Sequence, residues 1–250
     1  MHFCSCQNVF VRGCRITSGD DCIALSAITD WNKPCEDVVI SDCILQSSSK
    51  AIVIGYMHSI VRNVVISNCI IRDSHRALCI MTSSETGLVE NVLVSNMRLD
   101  TRIRAGNWWG NGEPVAIIAT AHHNANYAHE RPNRRYPVNV RNIRFHNLIC
   151  TGENAIGIVG ENRNIRNVGF DGLQMMRKPS ENLMVKGNLI DLSPGVQKAV
   201  LPDHPLCWLH LQDVEDISFR NVSVSPYEGE LLTVSEVDCG AIDMERVHDS

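Results

Sequence analysis

The stretch Asn63-Val64-Val65-Ile66-Ser67-Asn68 decides the fold, because its pattern recurs along the chain. The pattern is Asn or Asp, then Val or Ile, a variable residue, an apolar residue, another variable residue, and finally Asn, Asp or Gly. Copies begin at Asn8, Asp37, Asn63, Asn91, Asn142, Asn167 and Asp216. Their spacings are 29, 26, 28, 51, 25 and 49 residues, so the long gaps are about twice the short ones. A period of this length predicts a solenoid.

Each copy also has the alternation of a strand with one buried face, as in Val64, Ile66 and then Cys69. A second short apolar run follows in several turns, at 22–25, 51–54, 77–80 and 155–158. Short strands without a helical period or a leucine-rich consensus predict an all-β fold, a parallel β-helix. Equivalent positions then stack about 4.8 Å apart. This predicts an interior ladder of small apolar side chains formed by Cys14, Cys43, Cys69, Met97, Leu148, Leu173 and Val222.

Composition narrows the class of protein. The chain has 250 residues, 44% of them hydrophobic, and we expect a single elongated domain over residues 1–250. No apolar run reaches the roughly 18 residues of a membrane span, and the N-terminus lacks a secretory signal. Eleven cysteines, an odd number, favour reduced thiols and a cytoplasmic location. The net charge of −5 argues against nucleic acid as the main partner. We also expect a monomer without membrane partners.

Two segments within residues 101–137 interrupt the repeat, and we expect them to be inserted loops that project beside a cleft. The first, 101–114, carries Trp108, Trp109 and Glu113, and the second, 121–137, carries several His and Arg residues. Loops on a rigid scaffold often hold functional residues. The two tryptophans are candidates for a sugar-stacking platform, or alternatively for an anchor that packs the loop on the solenoid.

Asp20 and Asp21 lie directly after Gly19, at the head of the apolar run that starts at Cys22. Paired carboxylates are the usual equipment for cutting a glycosidic bond. Most isolated Asp-Asp pairs are solvated turns, and the surrounding repeat is what favours function here. On a regular strand the two side chains would point to opposite faces, so a cleft that uses both requires a kink or a strand end.

The segments 19–24, 51–55 and 61–64 resemble glycoside hydrolase family 28, the polygalacturonases and their bacterial relatives, over about residues 1–100. The resemblance implies a right-handed parallel β-helix and an inverting hydrolysis, without a cofactor, of pectic or related polysaccharides or oligosaccharides. It implies that Asp20 is the general acid and that Asp21 is one of the carboxylates that activate water. The family's third Asp precedes a sequence like His2-Phe3, so we expect N-terminal turns to be missing. The alternative is a protein that has lost this catalytic acid.

The chain departs from the family at two cationic positions. Ser48-Ser49-Lys50 replaces Gly-His-Gly, and Cys79-Ile80-Met81 replaces Arg-Ile-Lys, whereas Arg76 matches bacterial relatives. A neutral sugar, or a uronate bound elsewhere, is therefore also compatible with the sequence. We expect no metal, because His122, His123 and His129 lack partners at ligand spacing. The candidate substrate contacts are His2, Lys50, His58, His75, Arg76, Trp108, Trp109 and Glu113.

Two other functions stay open at the level of sequence. A non-catalytic carbohydrate-binding solenoid would keep the Asp pair only as a binding feature. A β-helix lyase or epimerase would need a Lys, Arg, His or Tyr for proton transfer, and often acidic Ca²⁺ ligands, of which the strands near the cleft offer few.

Overall fold

The computed structural model describes residues 1–27, 33–104, 109–121, 135–180, 192, 206–229 and 232–249. These residues form β-strands and no helix, and none of them belongs to a helix that could cross a membrane. The strands are β1 (His2–Cys4), β2 (Gln7–Arg12), β3 (Arg15–Ser18), β4 (Ile23–Ser26), β5 (Cys35–Ser41), β6 (Ile44–Ser47), β7 (Lys50–Ile54), β8 (Ile60–Ser67), β9 (Ile70–Ser74), β10 (Arg76–Ser83), β11 (Leu88–Thr101), β12 (Val115–Thr120), β13 (Val140–Gly152), β14 (Ile156–Val159), β15 (Ile165–Arg177), β16 (Cys207–Gln212), β17 (Glu215–Ser225), β18 (Thr233–Val237) and β19 (Ile242–Asp249).

All strand pairs are parallel, and they build two stacked sheets. The first sheet has eight strands in the order β1-β4-β7-β10-β12-β14-β16-β18. The second has the order β2-β5-β8-β11-β13-β15-β17-β19, with β3, β6 and β9 joined to it through β11. Each turn of the chain thus adds one rung to each sheet. The predicted right-handed parallel β-helix is confirmed.

The first and last positions of the repeat are the corners where the chain bends. Asn63 has a φ of 57° and Asn68 a φ of 56°, and the corresponding residues of every other copy also have positive φ. Gly adopts this left-handed backbone freely, Asn and Asp tolerate it, and β-branched residues avoid it. Their amides also stack, since Asn91 Nδ2 donates to Asn63 Oδ1 at 3.2 Å and Asn142 Nδ2 donates to Asn91 Oδ1 at 3.0 Å. The repeat therefore specifies the bends as well as the strands.

The interior between the sheets is apolar from the first turns to the last. Phe145, Phe170 and Phe219 stack on successive rungs, with ring centroids 4.3 and 4.8 Å apart. The predicted ladder is confirmed, because Cys43 and Cys69 are buried, Cys14 is half-buried, and the later members pair in register. All eleven cysteines are free thiols.

The outer face of the eight-stranded sheet carries a second, smaller apolar cluster. Its side chains alternate with inward-facing neighbours such as Ile52 and Ile54. The members are Val53, Cys79, Met81, Ala116, Ile118, Val159 and Leu192, with Ala24 and Tyr56 packed against them. By contrast, Val65 and Leu93 are exposed on the outer face of the second sheet. These outward side chains of the eight-stranded sheet are thus buried, and the candidate site lies on this face of the solenoid.

The structure differs from the predicted inserted loops at residues 110–114, within the first of the two segments. Between them, β12 forms a regular rung of the eight-stranded sheet. Residues 110–114 do not project from the solenoid but are buried against it. Residues 105–108 and 122–134 lie outside the described residues.

Candidate active site

A cleft of about 370 Å³ opens on the outer face of the eight-stranded sheet, within the usual size range of small-molecule sites. Its floor is apolar and is formed by Ala24, Val53 and Met81. Its polar and aromatic lining comes from His2, Asp20, Asp21, Ser26, Lys50, Tyr56 and Trp109.

Asp20 and Asp21 both line this cleft. They precede β4 instead of lying within it, so the strand end expected from the sequence is present. Hydrogen bonds hold the backbone N–H and the backbone carbonyl of Asp20. The N–H donates to Ser18 Oγ at 3.2 Å, and the carbonyl accepts from Ser47 Oγ at 2.7 Å. The Asp20 side chain is exposed to the cleft.

Asp21 has a different environment. Its Oδ1 lies 3.2 Å from Lys50 Nζ, and it also accepts hydrogen bonds from Ser49 Oγ at 3.2 Å and from the Lys50 N–H at 3.3 Å. The exposed fraction is 21% for the Asp21 side chain and 3% for the Lys50 side chain. These three donors fix the carboxylate of Asp21, whereas that of Asp20 faces solvent.

Trp109 covers the other side of Lys50. The Lys50 Nζ lies 4.9 Å from the centroid of the Trp109 ring, within the range of a cation–π interaction. Trp109 is still 39% exposed and lines the cleft. Its indole therefore presents apolar surface to any molecule in the cleft. Trp108 lies outside the described residues.

His2 also reaches the cleft, where its Nε2 lies 2.6 Å from Ser26 Oγ. The hydrogen bond orients the ring. Ser26 and Tyr56 were not among the candidates from the sequence. Ser26 directly follows the apolar run 22–25, and Tyr56 lies two residues after the run 51–54. This position after a predicted strand is the signal that could have identified them.

Arg76 and Glu113 are buried beside the cleft instead of lining it. Both side chains are 0% exposed and form a two-pronged ion pair, with Arg76 Nε 3.1 Å from Glu113 Oε2 and Arg76 Nη2 2.9 Å from Glu113 Oε1. This corrects the expectation of direct substrate contact. The physical reason is that residues 110–114 fold back over the start of β10.

His75 is likewise buried. Its Nδ1 accepts a hydrogen bond from the Arg104 N–H at 2.8 Å, so its Nε2 carries the proton and donates to the carbonyl of Gly110. His58 is buried in the turn after β7 and does not line the cleft, in contrast to its neighbour Tyr56. Neither histidine is placed to contact a substrate directly.

Cys79 belongs to the apolar cluster on the outer face of the eight-stranded sheet and lies beside Val53. Burial raises the pKa of the Cys79 thiol, and the cations of Arg76 and Lys50 oppose this only in part. The residue is therefore a neutral packing group. No cluster of three potential His, Cys, Asp or Glu metal ligands occurs within the described ranges, which do not include His122, His123 and His129.

Comparisons with known proteins extend the description of the fold. No family model matches the chain, and neither does any curated protein. Among solved structures, the chain is similar to the family 28 exopolygalacturonase of Yersinia enterocolitica, with a TM-score of 0.57 and 15% sequence identity. The match covers 96% of this chain and 37% of that enzyme. The chain thus shares the β-helix of a polygalacturonase and spans little more than a third of its length.

Proposed function

We propose that the cleft hydrolyses a glycosidic bond in a pectic or related saccharide, with Asp20 as general acid and Asp21 as a carboxylate that activates water. One observation carries the proposal: two adjacent carboxylates share a cleft in unlike environments. Asp21 is fixed by the Lys50 ammonium, whereas Asp20 is exposed. Acid and base roles in a glycosidase require this kind of asymmetry.

In this mechanism, Asp20 protonates the oxygen of the leaving group while a water molecule attacks the anomeric carbon from the opposite side. Asp21 accepts the proton of that water. Contact with solvent lets Asp20 regain its proton after each turnover. The three donors on Asp21 Oδ1 hold its carboxylate in one orientation and compensate its charge.

Two further features support a saccharide as the ligand. Trp109 offers a partly exposed indole beside the carboxylates, and aromatic faces of this kind pack well against apolar surface that carries polar groups at its edge. The likeness of the fold to a polygalacturonase supports a pectic substrate. A neutral sugar is the other candidate, because the charge of Lys50 is already compensated by Asp21.

A second candidate function is saccharide binding without hydrolysis. The observation that favours it is the coordination of Asp21, whose Oδ1 already accepts three donors and has less capacity left for water. The two functions differ in whether bound saccharide is turned over.

The test is to assay the protein against oligogalacturonides, rhamnogalacturonan oligosaccharides and neutral oligosaccharides, with calorimetry for binding and reducing-end release for hydrolysis. Asp20→Asn is expected to lower the hydrolysis rate about 10²- to 10⁴-fold and to leave binding nearly unchanged. NMR of the first product is expected to show inversion at the anomeric carbon.

Asp37→Asn is the matched control, because Asp37 is an exposed acid at a corner position where other turns carry Asn. It is expected to retain full activity. Saccharide that binds without release of reducing ends would favour the binding function. Hydrolysis that Asp20→Asn leaves undiminished would exclude Asp20 as the acid.

A further inference from the structure

We infer that the buried Arg76–Glu113 ion pair positions Trp109 in the cleft, so that two residues without access to substrate shape the saccharide-binding surface. The inference rests on the proposed function only for the identity of the ligand. The placement of Trp109 over Lys50 can be tested without any ligand.

The ion pair joins two segments that are far apart in sequence. Arg76 is the first residue of β10, and Glu113 precedes β12. Both are 0% exposed, and the guanidinium meets the carboxylate with two hydrogen bonds of 3.1 and 2.9 Å. A buried pair of this kind often stabilises a protein no better than apolar residues of similar volume. Its specific contribution here is to fix one arrangement of the two segments.

The same carboxylate also holds the backbone next to Trp109. Glu113 Oε2 accepts a hydrogen bond from the Asn111 N–H at 2.7 Å. The neighbouring His75 adds two contacts, since its ring donates to the Gly110 carbonyl and its own carbonyl accepts from the Gly112 N–H at 2.9 Å. Residues 110, 111 and 112 are thus each tied to the start of β10 or to its partner Glu113.

Gly110 shows how closely this segment approaches β10. Its φ is 121°, a conformation that side chains rarely permit. A Cβ at this position would lie 2.9 Å from His75 Cδ2 and 3.2 Å from Arg76 Cβ. The backbone at Gly110 therefore lies directly against Arg76, and Trp109 is the residue that precedes Gly110 in the chain.

From Trp109 the contacts continue to Asp21, the carboxylate proposed to activate water. The indole lies 4.9 Å from Lys50 Nζ, which lies 3.2 Å from Asp21 Oδ1. Only 3% of the Lys50 side chain is exposed, although it borders an open cleft. Trp109 covers it. The accessibility of the Lys50 amine consequently reports whether Trp109 is in place.

The first experiment measures acetylation of Lys50 by an N-hydroxysuccinimide ester, with peptide mass spectrometry as readout and the exposed Lys33 as internal reference. The double variant Arg76→Met/Glu113→Leu removes both charges together. We expect Lys50 labelling to rise about tenfold, as after local opening of a protective segment, and to match the rise in Trp109→Ala. Adding Trp109→Ala to the double variant is expected to give no further rise.

Two additional variants separate positioning from general destabilisation. Glu113→Gln keeps the shape and an acceptor for the Asn111 N–H but removes the charge, and we expect an intermediate rise in Lys50 labelling. Phe170→Leu weakens the aromatic stack in the interior and is expected to leave Lys50 protected. Lys50 that stays protected in both Glu113→Gln and the double variant, or that is exposed equally by Phe170→Leu, would overturn the inference.

The second experiment measures saccharide hydrolysis by the same proteins. The double variant is expected to raise KM about three- to tenfold, the range of one aromatic contact, with kcat changed less than KM. Equal loss of kcat with unchanged KM would contradict a positioning role for Trp109. If the wild-type protein turns over no saccharide, the proposed function fails, and Lys50 labelling still decides the positioning role.

Discussion

The outer faces of the two sheets differ in how far their side chains are buried. The second sheet carries the six-residue repeat on successive rungs, and outward side chains such as Val65 and Leu93, which pair in register, are exposed. On the eight-stranded sheet, Lys50 lies beside Arg76, and Val53 beside Cys79, and all four are buried. The outer face of the second sheet, here called the repetitive face, serves only the stacking of successive turns. The outer face of the eight-stranded sheet, here called the irregular face, holds the candidate chemistry.

The pairing of Lys50 with Arg76 shows that the irregular face carries a destabilising contact. Like charges on neighbouring strands destabilise a sheet, and these two residues are direct partners in register. Each cation is compensated by its own carboxylate from outside the rung, Asp21 for Lys50 and Glu113 for Arg76. We therefore expect changes on this face to affect function and stability together, and changes on the repetitive face to affect stability alone.

The largest expected effect on stability comes from breaking the buried pair on one side. Arg76→Met leaves the Glu113 carboxylate buried without its cation and is expected to lower the free energy of unfolding by about 3–5 kcal/mol. Arg76→Met/Glu113→Leu is expected to recover most of that loss. Urea unfolding of the two proteins measures the difference. A single variant no less stable than the double variant would refute the account of the pair.

A corner of the repetitive face is expected to show a smaller effect. Asn142→Ala places a side chain without an amide at a φ of 58° and removes the ladder bonds to Asn91 and Asn167. We expect a loss of about 1–2 kcal/mol from the backbone conformation. Asn142→Gly should be milder, because Gly keeps the left-handed backbone. Thermal unfolding measures both effects. A change in saccharide binding by either variant would contradict the expectation that changes on the repetitive face affect stability alone.

The smallest effect is expected from a surface ion pair on that same face. Arg62 pairs with Glu36 at the surface, where its side chain is 41% exposed. Arg62→Gln is expected to change the free energy of unfolding by less than about 1 kcal/mol. The change should shrink further in 1 M salt, because exposed charges are screened. A salt-independent loss of several kcal/mol would show that the repetitive face also contains buried electrostatics.

The fold could be predicted from local sequence because each copy of the repeat contains both the alternation of a strand and the residues of its corners. Val64 and Ile66 reveal the inward face by alternation, and Asn63 and Asn68 mark corners that need a left-handed backbone. Asp20 and Asp21 could be identified because they stand at the head of a strand. A cleft shared by both then followed from the strand end.

The rest of the site depends on contacts that no local pattern reveals. Arg76 and Glu113 are 37 residues apart, and their pairing requires the chain to fold back over β10. Tyr56 lies two residues after β7, and its position after a strand marks it only as a candidate. Where both faces of a sheet are covered, alternation disappears, and β7, in which all five residues are buried, gives no sign of which side chains border a cleft.

The central claim is that ligand binds on the irregular face. Hydrogen–deuterium exchange of the Asp20→Asn protein, with and without oligogalacturonides and neutral oligosaccharides, tests it directly because this variant is expected to bind without turnover. We predict that a bound saccharide slows exchange in peptides covering 20–26, 50–56 and 109–114, and leaves 140–152 unchanged. Protection confined to strands β8, β11 and β13 would contradict the account.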